Sequence, residues 1–192
     1  MIGVTVFSAM TVLLAGYALA LYRGLLRAER QLRRAWSHLE FAWARRDGEI
    51  TRLLELCAPD ATAHSEVLER LQRARGALQL ARDRRDAPAV NAAERELRSV
   101  LAALYPLAAR NVHAHPQGDA LLRALRFRVR AHERAIAAHA ERYNAAAEAL
   151  NARIDLLPDA LIAAVCHLVP VARVDLNPAG GADGELSLAY GK

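Results

Sequence analysis

Residues 1–22, MIGVTVFSAMTVLLAGYALALY, contain no charged side chain. An uncharged run of this length matches the roughly 20 residues that an α-helix needs to cross the hydrocarbon core of a bilayer. Charge then arrives abruptly, at Arg23, Arg27 and Arg30. Because basic flanks stay on the cytoplasmic side, the sequence predicts a single-pass membrane anchor, with its N-terminus outside and the body of the protein in the cytoplasm.

A cleaved secretory signal is the alternative interpretation of this run. Ala18, Leu19 and Ala20 form an acceptable small-x-small cleavage site. Secretory signals, however, have a basic region followed by an apolar core of roughly 7–15 residues. Residues 1–22 have neither feature, so we favour the anchor.

The composition of the rest of the chain is that of a helical domain. Alanine, leucine, arginine and glutamate dominate, and aromatic residues make up only 5% of the 192 residues. These are helix-forming residues, and few β-branched residues are present to support strands. We therefore predict an anchor at residues 1–22, one helical bundle domain at residues 23–172 and a disordered, glycine-containing tail at residues 173–192.

Apolar residues recur at alternating four- and three-residue steps in four segments, which is typical of helices that pack on one another. These segments cover residues 32–57, 67–81, 88–107 and 122–157, and Pro158 stops the last one. The first and fourth helices should be roughly 50–60 Å long and the middle two nearer 30 Å. The sequence thus predicts an all-α fold, in which the N-terminal transmembrane helix is followed by an antiparallel bundle of four helices, two long and two short.

The unequal lengths predict a two-helix stalk next to the membrane, because the short helices can cover only the far end of the long pair. If the fourth helix begins near Gly118 and runs antiparallel to the first, Trp36 lies level with about residue 139. Trp36 should then pack against His139 or Tyr143.

The positive charge does not indicate a nucleic-acid-binding protein. The formal net charge is +5, but the arginines alternate with glutamates along the helices, and no nucleic-acid-binding motif is present. Arginines near a bilayer attract anionic headgroups instead. Cys57 and Cys166 are too few and too isolated for a disulfide framework or a zinc site.

Histidines and hydroxyl groups do not form a recognisable catalytic or metal-binding pattern. His132 and His139 share one face of the fourth helix, but the Glu-x-x-His pair of bundle metal sites is missing. We therefore expect both histidines to be polar residues of the bundle core that bind no metal. The chain has no G-x-S-x-G, no glycine-rich phosphate loop and no H-E-x-x-H. We predict no enzyme, no cofactor, and no catalytic or metal-ligating residue.

Two arginines, Arg46 and Arg153, occupy positions where the heptad pattern requires an apolar residue. The interpretation that we favour is that each long side chain extends its guanidinium group to the edge of the bundle. The alternative is a partly buried pair with a glutamate, which would fix the register of the helices.

Two stretches resemble the LemA family of membrane-anchored helical proteins. The first contains Ala35, Trp36, Ser37, Glu40, Arg45, Arg46, Ile50, Leu68, Glu69, Ala74 and Arg75. The second contains Tyr105, Pro106, Glu133, Ile136, Tyr143, Asn144, Leu150, Asn151, Leu157, Pro158, Leu161, Ile162 and Ala163. The resemblance spans roughly residues 22–175 and implies a bundle on a single-pass anchor in the bacterial cytoplasmic (inner) membrane, without an established biochemical activity.

The motif residues should have an architectural role and hold the long helices together. They are Trp36, Arg46, Tyr105, Tyr143, Asn144, Asn151 and Pro158. Some members of the family are associated with membrane remodelling and others with the surroundings of membrane proteases, and neither role transfers to individual residues of this chain.

Two functions remain open. The protein is either a membrane-tethered scaffold that binds unidentified membrane or cytoplasmic proteins, or a lipid-binding or membrane-remodelling protein that acts through the basic flank and the apolar segment 161–169. Four residues of that segment are candidates for a membrane-surface or partner contact: Leu161, Ile162, Val165 and Leu168. Packing of this segment into the bundle favours the scaffold, whereas exposure beside the basic flank favours a lipid-binding or membrane-remodelling function. Membrane lipids are expected partners, and formation of an oligomer is left open.

Overall fold

A computed structural model describes residues 2–57, 65–112 and 118–176 of the chain. Within these ranges the structure contains helices and no strand, which confirms the all-α prediction. The five helices are α1 (Ile2–Cys57), α2 (Ser65–Asp83), α3 (Ala87–Val112), α4 (Gly118–Asp155) and α5 (Asp159–Val165). The part of the predicted disordered tail from residue 177 onward lies outside the described residues.

The apolar run and the first bundle helix form one continuous helix, α1. Residues 3–20 are exposed along the whole of this run. Among the described residues, α1 alone is long and apolar enough to cross a membrane, by length and composition. It is therefore a candidate membrane anchor, as the sequence predicts.

The chain divides into two compact units. The first unit comprises Met1–His38 and Arg142–Arg173, and the second comprises Leu39–Glu141 and Val174–Lys192. Both α1 and α4 contribute to each unit. The antiparallel arrangement of all four bundle helices stays a prediction.

The first unit combines the N-terminal part of α1, up to His38, with the C-terminal part of α4. Leu25, Leu32 and Trp36 of α1 are buried, as are Tyr143 and Leu150 of α4. The rings of Trp36 and Tyr143 meet edge to face, with their centroids 5.3 Å apart and an interplanar angle of 63°. This contact confirms Tyr143 as one of the two predicted partners of Trp36.

The second unit encloses an apolar core to which α1, α2, α3 and α4 all contribute. Its largest buried apolar side chains include Leu39, Trp43, Ile50, Leu53, Leu71, Leu78, Leu97, Leu104 and Leu125. The residues of α1 that follow the heptad spacing are all buried: Leu32 and Trp36 in the first unit, and Leu39, Trp43, Arg46, Ile50 and Leu53 in the second. The spacing of apolar residues therefore predicted the buried face of α1 correctly.

A short turn connects α2 to α3, and the two helices pack against each other. Asp86 begins α3, because its carboxylate oxygen Oδ1 accepts a hydrogen bond of 3.1 Å from the backbone N–H of Ala89. This is the geometry of an N-cap, which satisfies a backbone donor that the helix leaves unpaired. Pro88 follows within the first turn. α3 then continues beyond the predicted end at residue 107, past Pro106, to Val112.

The chain remains packed just after the predicted end of the bundle domain. Val174 and Leu176 are buried. Arg98 donates a hydrogen bond to the carbonyl oxygen of Leu176, and Asn91 accepts one from the backbone N–H of Asp175. Residues 174–176 are thus held against α3, although the sequence assigned them to the tail.

Candidate membrane-interface site

The C-terminal end of α4 lies beside the end of the uncharged run of α1. Gly24 has no side chain, and a Cβ atom placed on it would lie 2.5 Å from Nη1 of Arg153. The guanidinium group of Arg153 therefore lies against the backbone of α1 two residues after the apolar run ends. This contact places the chain that follows Arg153 next to the base of the candidate anchor.

The segment after α4 exposes large apolar side chains at this position. We call residues 156–169, which include α5, the interface segment. Leu156, Leu157, Leu161, Val165 and Val169 are all exposed, and Val165 is exposed to 80%. Ala163 is buried on the opposite side of α5. The segment is thus amphipathic, with a small residue packed inward and branched residues facing outward.

Of the four candidate residues in this segment, Leu161 and Val165 are exposed, while Ile162 and Leu168 are half-buried. Pro158 precedes α5 and is itself exposed. The sequence did not predict a helix here, because an apolar run of nine residues has no clear amphipathic period.

Two motif residues hold the non-helical stretch that follows the interface segment. The side-chain amide of Asn151 donates to the carbonyl oxygen of Val171 and accepts from its backbone N–H, both at 2.9 Å. The hydroxyl of Tyr143 donates to the carbonyl oxygen of Ala172 at 3.4 Å. The chain after α5 therefore returns along α4, and the interface segment is fixed at both of its ends. Asn144, the neighbour of Tyr143, is buried.

Replacing Asn151 with alanine should lower the free energy of unfolding by about 1–3 kcal/mol, because two hydrogen bonds to the backbone of Val171 are lost together. Chemical denaturation of the full chain in detergent micelles measures this change. Glu148→Ala is the matched control, since it removes only the exposed ion pair with Arg173 and should cost less than about 1 kcal/mol. Equal effects of the two variants would show that Asn151 does not hold the returning chain.

Arg46, a further motif residue, lies in the second unit and forms a buried ion pair. Its Nη1 and Nη2 donate to Oε2 and Oε1 of Glu94 at 2.7 and 2.8 Å, and both side chains are 1% exposed. The favoured interpretation, that Arg46 reaches the edge of the bundle, is therefore wrong. Arg153 is exposed, as that interpretation predicts.

Glu94 affects the pKa of Arg46. Burial alone would lower the pKa of Arg46, but the charge and the hydrogen bonds of Glu94 more than offset this and raise it. The bidentate geometry fixes α1 against α3 within the second unit.

Tyr105 also lies in the second unit, where it is half-buried. Burial, together with the charge of Glu133, raises the pKa of Tyr105 to about 12. Burial likewise raises the pKa of Glu133, against the opposing effect of Arg46 and Arg98. The guanidinium group of Arg126 lies 4.8 Å from the centre of the Tyr105 ring.

The structure thus brings the motif residues together in two groups. Trp36, Tyr143, Asn144, Asn151 and Pro158 lie in the first unit, and Arg46 and Tyr105 lie in the second. Glu94, the partner of Arg46, and Gly24, which contacts Arg153, were not predicted from the sequence. Glu94 carried a signal, because it lies four residues after Val90 and three before Leu97, on an apolar face of α3. Gly24 carried none.

The histidines of α4 are half-buried. Among the described residues, no group of three or more His, Cys, Asp or Glu side chains is arranged to hold a metal ion. The absence of a metal site and of an enzyme stays a prediction. Cys166 is exposed.

A model of the LemA family matches residues 35–180 of the chain. Comparison with curated proteins and with solved structures found no match. The matched range includes all seven motif residues and the interface segment.

Proposed function

We propose that this chain, which belongs to the LemA family, is a non-enzymatic, membrane-anchored helical protein whose interface segment lies on the surface of the bilayer that holds its anchor. This corresponds to the lipid-binding alternative of the sequence analysis. The anchor is the apolar part of α1, and the body begins where Arg23 follows the uncharged run.

The observation that carries this proposal is the position of the exposed apolar side chains. Arg153 lies against Gly24, at the end of the uncharged run, and the interface segment begins only three residues after Arg153. At a rise of 1.5 Å per residue, α4 advances about 3 Å from Arg153 to its end at Asp155. Leu161 and Val165 therefore lie near the level at which the anchor would leave the hydrocarbon core. Exposed apolar side chains at that level are stabilised by insertion between headgroups.

Basic side chains around this level support the same proposal. Arg23, Arg27 and Arg30 are exposed on α1, and Arg153 is exposed on α4. Each arginine near an anionic leaflet contributes roughly 1 kcal/mol of attraction. Since basic flanks stay in the cytoplasm, we propose that the leaflet is the cytoplasmic one of the bacterial inner membrane.

Cys166 provides a native probe for the test, because it follows α5 directly. In a Cys57→Ser variant reconstituted into vesicles that contain anionic lipid, we label Cys166 with an environment-sensitive fluorophore. We expect quenching by lipids that carry a nitroxide near the headgroup and little quenching by iodide in water. The double variant Leu161→Glu/Val165→Glu should reverse this preference.

Leu80→Glu is the matched control, since Leu80 is an exposed apolar residue of α2 in the second unit. It should leave the quenching pattern unchanged. Iodide quenching as strong as that of an exposed reference site, with no effect of headgroup nitroxides, would contradict the proposal. The scaffold function would then be favoured, with the interface segment as a surface for a partner protein.

A further inference from the structure

A cleft of about 340 Å³ opens between α3 and α4 within the second unit. Arg98 of α3 and Arg126 and Arg130 of α4 line it, together with the carboxylate of Glu133. Tyr105, Leu101 and small apolar residues of α3 contribute the rest of its wall. This volume falls in the range of small-molecule sites. We call it the arginine cleft.

The arginine cleft continues into a second depression of about 350 Å³ along α4. Arg123 and Arg134 line this depression beside Arg126 and Arg130, which the two share. The four arginines are spaced three and four residues apart, so they occupy one face of the helix. Phe127 lies among them and is 71% exposed.

These four arginines have no carboxylate within ion-pair distance among the described residues. Other arginines of the same unit do have one: Arg70 pairs with Glu96, Arg82 with Asp47, and Arg128 with Glu49. Like charges at a spacing of four residues destabilise a helix. Glu133 offsets part of this repulsion at Arg130, and a bound anion would relieve the rest.

The charges of the cleft indicate which anion fits. Three guanidinium groups and one carboxylate give the arginine cleft a net charge of +2, and Arg123 and Arg134 of the adjoining depression add to it, so a dianion fits better than a monoanion. A phosphate monoester carries a charge of about −1.5 to −2 at pH 7 and offers three acceptor oxygens. Guanidinium groups bind such oxygens in a bidentate manner. From this geometry we propose that the arginine cleft binds a phosphate monoester that carries a small hydroxylated organic group.

The remaining polar groups of the cleft fit the two ends of this ligand. The hydroxyl of Tyr105 stays protonated near neutral pH, because its pKa is about 12, and it can donate to a phosphate oxygen. The carboxylate of Glu133 can accept a hydrogen bond from a hydroxyl of the organic group. Arg126 lies over the ring of Tyr105, 4.8 Å from its centre, and this contact orients its guanidinium group beside the cleft.

The test is calorimetric titration of the full chain, in non-ionic detergent micelles at 150 mM NaCl, with glycerol 3-phosphate. We expect saturable binding at one site per chain. Glycerate, the carboxylate analogue with one negative charge, should bind at least about tenfold more weakly, because it balances less of the positive charge. Equal binding of glycerate would overturn the assignment to a dianion.

Variants separate the cleft from general attraction by a basic protein. Arg130→Gln and Arg126→Gln should each weaken binding at least about tenfold, since each removes a charged hydrogen-bond donor. Arg142→Gln, at an exposed position of α4 outside the cleft, should change affinity less than twofold. Absence of saturable binding, or an equal loss in all three variants, would overturn the proposal. Circular dichroism of each variant checks that the helices are retained.

A last comparison identifies the source of the phosphate. We repeat the titration in nanodiscs of phosphatidylcholine, with and without phosphatidic acid. Competition by phosphatidic acid that Arg130→Gln abolishes would support a lipid headgroup as the natural ligand. Unchanged affinity for glycerol 3-phosphate would support a soluble phosphate ester. Competition that persists equally in Arg130→Gln would overturn the role of the cleft in binding the lipid.

Discussion

Replacing Glu94 with alanine should lower the free energy of unfolding by about 3–5 kcal/mol, because it leaves the charge of Arg46 buried without its partner. Both side chains are 1% exposed, so bulk water does not screen the charge of Arg46 in the folded protein. The neighbouring carboxylates of Asp47 and Glu133 also attract Arg46, but the two hydrogen bonds of the pair come from Glu94. Urea denaturation of the full chain in detergent micelles measures the change.

Glu96→Ala is the matched control for this experiment. Glu96 lies two residues further along α3 and pairs with Arg70 on the surface, so its loss should cost less than about 1 kcal/mol. The double variant Arg46→Met/Glu94→Leu should recover most of the stability, because it removes both buried charges while it retains apolar volume. If Glu94→Ala were no more harmful than Glu96→Ala, the pair would not be closed to solvent.

Truncation of Trp36 to alanine should cost about 3–5 kcal/mol of unfolding free energy. The indole is 2% exposed and has the ring of Tyr143 at its edge. The variant leaves a large cavity between α1 and α4 in the first unit, and it removes an aromatic contact that contributes about 0.5–1.5 kcal/mol beyond burial.

A double-mutant cycle with Tyr143→Ala isolates that contact, and we expect a coupling energy of about 0.5–1.5 kcal/mol. Phe41→Ala is the control, since Phe41 lies five residues away on α1 and is largely exposed. Its truncation should change stability by less than about 1 kcal/mol. Additive effects of the Trp36 and Tyr143 variants would contradict an energetic link between the two motifs.

The buried faces of the long helices could be predicted from the sequence, but the buried ion pair of Arg46 with Glu94 could not. Apolar spacing identifies the buried face of α1, and a rise of 1.5 Å per residue is sufficient to bring Trp36 close to Tyr143. An arginine on such a face can either reach solvent or find a carboxylate. The choice depends on which residue of α3 lies opposite, and no local rule fixes the register between two helices that are distant in sequence.

The interface segment and the arginine cleft could not be predicted from the sequence, for different reasons. A short apolar run has the same sequence pattern whether it packs inward or faces outward. The contact between Gly24 and Arg153 that positions the interface segment joins residues far apart in the chain. The spacing of Arg123, Arg126, Arg130 and Arg134 is visible in the sequence. The cleft is not, because it also needs Arg98 and Leu101 of α3.

The unbroken course of α1 through the base of the candidate anchor has a mechanical consequence. In the proposed membrane-anchored state, the apolar run and residues 24–38 would turn as one lever about the membrane surface, because the helix has no break between them. From Gly24 to His38 the lever arm is about 21 Å. A change of tilt of about 20°, the average inclination of membrane helices, would sweep its tip sideways by roughly 7 Å. Bilayer thickness, which sets the tilt of an apolar span, would in this way be converted into the orientation of the first unit.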